Sequence, residues 1–333
     1  MRTMAYVSIV GASGYTGQET LDRVLSHPEL ELVAIGSNSL AGQPATALDP
    51  RLNRNGGSRV PVFITNDAAL ACEADLTFVC LPNEAAAAIE PPSRGVVIDL
   101  SGAHRFGDPA VYPRWYGFDH PRAAELGRWS YALPELQPPQ GSLIANPGCY
   151  ATAALLALGP LKNAVDPSGI VVDGKSGMTG AGKVPRSAMH AGSVLENFVP
   201  YQVGVHRHAP EIALQLGLEV TFVPHLLPVR RGLIATCYVR SSGPDLRRLL
   251  EAHYAGSPVV TVLPEGVVPE LGRVQNSDAA EIGVFQDSST DLTIVISAID
   301  NLGKGAAGQA VQNANRVFGF NETDGLRLSG VLV

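Results

Sequence analysis

A strand that runs into three spaced glycines and leaves as a helix gives a chain little choice of fold. Val7-Ser-Ile-Val10 is such a strand, Gly11-Ala-Ser13-Gly14-Tyr15-Thr16-Gly17 is the turn, and Gln18 to Ser26 has helical spacing that stops at His27-Pro28. Gly11 permits the tight turn, Gly14 lets the backbone approach a pyrophosphate, and Gly17 lets the helix pack closely on the strand. The pyrophosphate would sit on the helix N-terminus, with Ser13, Tyr15 and Thr16 beside it. The spacing is G-x-x-G-x-x-G rather than the commoner G-x-G-x-x-G. A plain strand–helix turn therefore competes with a dinucleotide site as the reading of these residues alone.

Further apolar runs follow at Glu31 to Ile35, Asp75 to Leu81 and Gly95 to Leu100, with helical stretches between some of them. That alternation predicts an α/β fold with a doubly wound parallel sheet, and places Leu81 and Pro82 at the cofactor end of a strand. The second strand ends in Ser37-Asn38-Ser39, without the acidic residue that binds the ribose of NAD. Three small polar side chains can donate to a 2′-phosphate without repelling it, so NADP is expected over NAD.

Ile144-Ala-Asn146-Pro-Gly148-Cys149-Tyr150 runs into the helix-forming Ala151 to Leu158, which Gly159-Pro160 stops. Cys149 thus stands at a helix start, where orphan N–H groups and the helix dipole favour a thiolate. It is the candidate nucleophile. Gly204-Val-His206-Arg207-His208-Ala-Pro210-Glu211 reads as the entry to another helix, with His208 and Glu211 on one face. A carboxylate beside an imidazole raises its basicity, so His208 is the first choice as base, Glu211 its support and His206 the runner-up. Gly174-Lys175-Ser176-Gly177-Met-Thr179-Gly180-Ala-Gly182-Lys183, after a strand Gly169 to Asp173, is read as a glycine-dense loop able to wrap an anion or close over a cofactor. Arg105 and Arg207 are candidate fork donors to a carboxylate or phosphate.

The 333 residues suffice for two domains, and a net charge of −7 argues against nucleic acid or a membrane surface as partner. No apolar run approaches the roughly 18 residues that span a bilayer, and the N-terminus lacks a secretion pattern, so a cytoplasmic protein is expected. Cys72, Cys80, Cys149 and Cys237 lack metal-ligand spacing and are expected as reduced thiols, with no metal bound. The strand candidates Gly169 to Asp173, Glu219 to Val223, Leu233 to Arg240 and Leu292 to Ala298 predict a second, α+β domain on a largely antiparallel sheet.

With these pieces together the chain resembles the N-acetyl-γ-glutamyl-phosphate reductase family, NADPH-dependent enzymes of arginine biosynthesis related to aspartate-semialdehyde dehydrogenase. The marks are GASGYTG (11–17), WYGFDH (115–120), ALPEL (132–136), ANPGCY (145–150), KSGMTGAGK (175–183), HRHAPEI (206–212), FVPHLLPVRRG (222–232) and DNLGKGAAGQAVQN (300–313). The resemblance implies a thioester on Cys149, His208 as base and Glu211 as its support. It implies a small acyl phosphate as substrate, met by Arg105, Asn146, Ser176, His206 and Arg207, and Gly180 and Asn301 near the nicotinamide. It further implies a homodimer or homotetramer, an NADP-binding domain of 1–147 plus 302–333, and a catalytic domain of 148–301. Two departures stand out. Asn38 takes the place of a common arginine, and Ser101-Gly-Ala-His104-Arg105 replaces a common Ser-Ala-Asp-Phe-Arg, which places His104 at the rim of the site. The reductase for carrier-bound α-aminoadipyl phosphate and aspartate-semialdehyde dehydrogenase share the skeleton and are the rival substrates.

Overall fold

The computed structural model describes residues 4–54, 60–184, 190–241 and 243–330. Ala5–Val10 (β1), Leu30–Gly36 (β2), Phe63–Ile64 (β3), Leu76–Val79 (β4), Val96–Asp99 (β5), Ser130–Tyr131 (β6) and Leu143–Ala145 (β7) form one sheet in the order β3-β2-β1-β4-β5-β7-β6. Every pairing in it is parallel. The central β1 and β4 are buried almost throughout, as strands covered on both faces must be. The helix Tyr15–Ser26 follows β1 as expected, three residues earlier than its apolar spacing indicated, because the last glycine already lies inside it.

Ile170–Gly177 (β8), Val199–Pro200 (β9), Val220–Leu227 (β10), Leu233–Arg240 (β11), Val260–Val262 (β12), Ala280–Asp287 (β13) and Leu292–Ile299 (β14) form the second sheet, ordered β12-β13-β14-β11-β8-β10-β9. Four of its pairings are antiparallel and two, β8–β10 and β12–β13, are parallel. Burial alternates along β8 and β11, so one face carries the core and the other stays partly open. On the core face lies the helix Cys149–Leu158, buried from Tyr150 onward; its four alanines bring its backbone close to the strands. The final helix Gly308–Phe318 returns to the first sheet and inserts Ala310, Val311 and Ala314 into its core beside the Tyr15 helix.

One expected loop is corrected. Gly174 to Gly177 continue β8 rather than leaving it, paired with β10 and β11; a β-carbon at Gly174 would lie 2.5 Å from the Tyr150 ring, and the glycine lets that ring come close to the strand. Lys175 is accordingly no anion ligand of a loop. It stands on the open face, 2.6 Å from Asp173.

Candidate active site

Gly148 caps the Cys149 helix with extended backbone and offers no side chain of its own. The bare position is needed. A β-carbon there would collide with His208 Nε2 and lie 2.6 Å from Arg105 Nη1. The imidazole therefore sits directly over the residue before the thiol. His208 is the first residue of the helix His208–Leu216. Burial, then the charges of His206, Arg105 and Arg207, hold it well below the usual histidine range, which favours the neutral imidazole. His206 accepts the His208 backbone N–H on Nδ1 at 3.1 Å, and burial, then Arg207, lowers it to about 4.

The expected pairing of Glu211 with His208 is not made. Glu211 is fully buried: Oε1 accepts from the Gly148 N–H at 2.8 Å and from Tyr131 Oη at 2.9 Å, while Oε2 accepts from Arg105 Nη1 at 3.1 Å. Its carboxylate has turned to the stronger partners, a buried guanidinium and an orphan helix N–H, and His208 Nδ1 has no hydrogen-bond partner among the described residues. Arg105 is likewise no free fork. Its remaining nitrogens donate to the carbonyls of Asn146 (2.8 Å) and Leu100 (3.2 Å). Asn146 in turn gives Nδ2 to the Ala306 carbonyl and takes Asn313 on Oδ1, each at 3.1 Å. Arg105, Asn146 and Glu211 thus build the wall behind Cys149. His104 is not at the rim either: it is buried, 2.6 Å from Asp99, and stacked on Trp129 with ring centroids 3.8 Å apart.

Cys149 opens onto a cleft of about 430 Å³ with Tyr116, Ser176, Gly180, His206, Arg207 and His208 in its lining. Arg207 is exposed there with its guanidinium 5.8 Å from the Tyr116 ring centre. Burial pushes the Cys149 thiol up to about 11, against the pull of Arg105 and the Tyr150 N–H. The expected resting thiolate is corrected on this point. Even in a partly buried setting a helix N-terminus is worth at most about 2 kcal/mol, against 1.36 kcal/mol for each pKa unit, and does not offset a rise of this size. A thiol raised in this way would have to pass its proton to a base in order to attack.

At the other helix start, Gly11 has φ +83° and a β-carbon there would lie 2.6 Å from the Cys80 carbonyl; at Gly17 it would lie 2.6 Å from Ala12 Cα. At Gly14 it would meet only the Gly11 carbonyl, at 3.7 Å, so the turn is open on the side where a pyrophosphate would lie. Ser37 Oγ donates to Ser13 Oγ at 2.8 Å and lies 3.3 Å from Ser39 Oγ, a run of hydroxyls from the turn to the end of β2. Asn38 spends Oδ1 on the Asn66 N–H at 2.8 Å; with Leu81 and Pro82 it lines a further pocket of about 430 Å³. Tyr15 lines another beside Lys183, whose Nζ reaches the Ser13 carbonyl at 3.4 Å. The Thr16 carbonyl accepts from Thr20 inside the helix. Asn301 has both ends of its amide engaged, by the Gly232 N–H at 2.8 Å and by Thr179 Oγ1 at 3.0 Å, and stands 3.8 Å from the β-position of Gly180. These residues fit a dinucleotide running from the glycine turn toward Cys149.

Residues 6–143 match the family model described as "Semialdehyde dehydrogenase, NAD binding domain", and residues 149–301 match "Semialdehyde dehydrogenase, dimerisation domain". The chain belongs to the semialdehyde dehydrogenase family. Within this family it resembles proteins named N-acetyl-gamma-glutamyl-phosphate reductase. That of Geobacter metallireducens is 43% identical over 97% of this chain and 98% of its own. That of Salinispora arenicola is 41% identical over 98% of each. Among solved semialdehyde dehydrogenases, aspartate semialdehyde dehydrogenase II of Vibrio cholerae superposes with a TM-score of 0.73 at 17% identity, covering 95% of this chain and 98% of its own. The Candida albicans enzyme with NADP gives 0.62 at 16%, over 95% and 98%. These two speak for the fold alone.

Some parts of this semialdehyde dehydrogenase site escaped the sequence. Tyr150 donates its hydroxyl to the His225 carbonyl at 3.0 Å, and Tyr201 reaches Tyr150 at 3.4 Å; together they wall the cleft. Gly305, in the π-helical segment Gly303–Ala307, comes so close that a β-carbon would lie 2.8 Å from Cys149 Cβ. Its motif, DNLGKGAAGQAVQN, was visible, but nothing in it points at Cys149. Among the described residues no group of His, Cys, Asp or Glu is arranged to hold a metal ion.

Proposed function

We propose that this protein reduces N-acetyl-γ-glutamyl phosphate to N-acetylglutamate semialdehyde and phosphate with NADPH. The observation that carries the reading is a thiol and a neutral imidazole meeting over Gly148 at the end of a cleft whose lining includes Arg207 and, among the described residues, no carboxylate. An N-acetylated substrate brings carboxylate and phosphate but no ammonium, and such a lining suits it. An aspartyl phosphate carries a free ammonium that wants an acidic partner. Near-full-length identity of about 42% to relatives named for the acetylglutamyl substrate supports the same choice.

His208 takes the Cys149 proton as sulfur attacks the acyl carbon. The C–O bond to phosphate breaks, and the proton passes to the departing phosphate oxygen, leaving a thioester on Cys149. Free N–H groups at the start of the Cys149 helix meet the oxyanion, worth about 3 kcal/mol per donor. Arg207 meets the phosphate or the substrate carboxylate. When bound, NADPH supplies the hydride that reduces the thioester, and Gly11, Ser13, Gly14 and the hydroxyls of Ser37 and Ser39 would hold it. Sulfur then leaves the tetrahedral carbon as the aldehyde forms, and a solvent proton returns to it through His208. Glu211, Arg105 and Asn146 hold Gly148 in place throughout.

Residues 1–147 with 302–333 serve as the cofactor domain and 148–301 as the catalytic domain; residues 331–333 lie outside those described. The partly open face of the second sheet suits a homodimer or homotetramer. Among the described residues no helix is long and apolar enough to cross a membrane, and we expect the protein to act in the cytoplasm. The test is phosphate-requiring, NADP-dependent oxidation of N-acetylglutamate semialdehyde by the purified protein, run beside aspartate semialdehyde. Turnover of the acetylated aldehyde at least a hundredfold faster is expected; the reverse order overturns the substrate.

A further inference from the structure

Five charged side chains link the helix that carries the cofactor turn to the segment behind the nucleophile, and two of them, Glu19 and Arg231, also line the pocket beside Tyr15. Glu19 projects from the Tyr15 helix. Arg231, ahead of β11, gives Nη2 to Glu19 Oε2 at 3.1 Å and Nη1 to Glu19 Oε1. The same guanidinium forks onto Asp300, Nε to Oδ2 at 2.9 Å and Nη2 to Oδ1 at 3.0 Å. Arg23, one turn beyond Glu19, joins it at 2.8 Å and Asp278 at 2.6 Å. The side chains of Arg23, Asp278 and Asp300 are wholly buried. Desolvation takes back much of what such pairs gain in stability, so their value lies in what they orient.

Asp300 has a second set of partners. Oδ1 accepts from the Leu302 and Gly303 N–H groups at 2.8 and 2.9 Å, Oδ2 from the Asn276 N–H at 2.6 Å, and its carbonyl from Gly305 at 2.9 Å. These bonds close the π-helical segment whose Gly305 bears on Cys149. A π turn is rare and needs its neighbours to hold it. Here they are the Asp300 carboxylate on one side and Cys149 on the other.

We propose that Asp300 is a positioning residue: with Arg231 and Glu19 it fixes the turn Gly303–Ala307 and so sets Cys149 at a fixed place relative to the helix that carries the cofactor turn. Asp300 does not line the cleft; it acts through Gly305. The inference rests on Cys149 being the nucleophile, but not on which acyl phosphate it attacks.

The test uses the full chain with Asp300→Asn, Glu19→Gln or Gly305→Ala. One readout is the rate of Cys149 alkylation by iodoacetamide without substrate or cofactor, followed by peptide mass spectrometry with Cys72 as internal control. The other is kcat and KM with the acyl phosphate and NADPH. Asp300→Asn loosens the turn: alkylation of Cys149 rises fivefold or more, kcat falls tenfold or more, and both KM values stay within threefold. Glu19→Gln moves both readouts the same way by less. Gly305→Ala, with the ion pairs intact, lowers kcat at least tenfold. A folded Asp300→Asn protein with lower Tm but alkylation and kcat within twofold of wild type overturns the proposal. Should Asp300→Asn not fold, unchanged kcat in both other variants overturns it. Shifted alkylation in a protein that reduces no acyl phosphate condemns the functional reading and leaves the positioning of Cys149 standing.

Discussion

Two helices of this chain start on a glycine that lends them no side-chain cap, Gly14 and Gly148, and the molecule uses them in opposite ways. At Gly14 the space where a side chain would stand is open, and the turn is left for a ligand to complete. At Gly148 the same space is filled by His208 and Arg105, the N–H is taken by Glu211, and Gly305 presses on the next residue. One helix start is open, as a socket for an anion would be; at the other the protein fills the cap itself, and what remains is a sulfur, an imidazole and the first N–H groups of the helix. The backbone device is the same, and what surrounds it decides between binding and chemistry.

The sharpest way to break that contrast is to remove the sulfur. Cys149→Ser should cost several orders of magnitude in kcat, since a hydroxyl is a far weaker nucleophile, while the dissociation constant for NADPH by fluorescence stays within twofold. Gly148→Ala should cost about a hundredfold or more in kcat by displacing His208, again with unaltered cofactor binding. Gly14→Ala should do the converse: it folds, because nothing crowds the new carbon, yet weakens NADPH binding tenfold or more by calorimetry. If Gly148→Ala weakened the cofactor as much as Gly14→Ala does, the two helix starts would not be separate devices.

Glu211→Ala leaves Arg105 buried without its carboxylate and should destabilise the fold by about 3–5 kcal/mol, read by urea unfolding. Glu211→Gln keeps an acceptor for Gly148 and should cost far less. Acid should also tell the two regions apart. His206 and His208 are neutral in the folded protein, while unfolded imidazoles protonate near 6.5, so the unfolded chain binds more protons below that pH. Tm should therefore fall as pH drops from 7 toward 5, and less steeply in His206→Asn; an equal slope in that variant would remove His206 from the account. The smallest expected effect is at the cofactor end. Asn38→Arg should tighten NADPH binding by at most about fivefold, and only at low salt, as an exposed ion pair allows.

The glycine turn was legible because its meaning is local: strand, three glycines and helix lie within 22 residues, and each glycine has a steric reason of its own. The Cys149 helix was legible for the same reason. Its surroundings were not. Glu211 and His208 share a helix face, which made them look like partners, yet the deciding partner is Arg105, over a hundred residues away, and no spacing rule reveals it. The resting state of Cys149 failed on the same ground, since the helix start is visible in the sequence and the burial that outweighs it is not. β13 was missed because Gly283 and its polar ends blur the alternation; in the fold, Pro269 lies 2.7 Å from where a β-carbon of Gly283 would be. Gly174 looked like the first residue of a loop after Asp173 because its reason, the Tyr150 ring, comes from another element.

The most direct measurement mixes the purified protein with N-acetyl-γ-glutamyl phosphate and no nucleotide, then quenches in acid. Release of about one phosphate per active site, with the acyl group found by mass spectrometry on Cys149 and absent from Cys149→Ser, is the predicted result. No phosphate burst and no adduct until NADPH is added, or an adduct on another residue, would contradict a thiol that attacks before the hydride arrives.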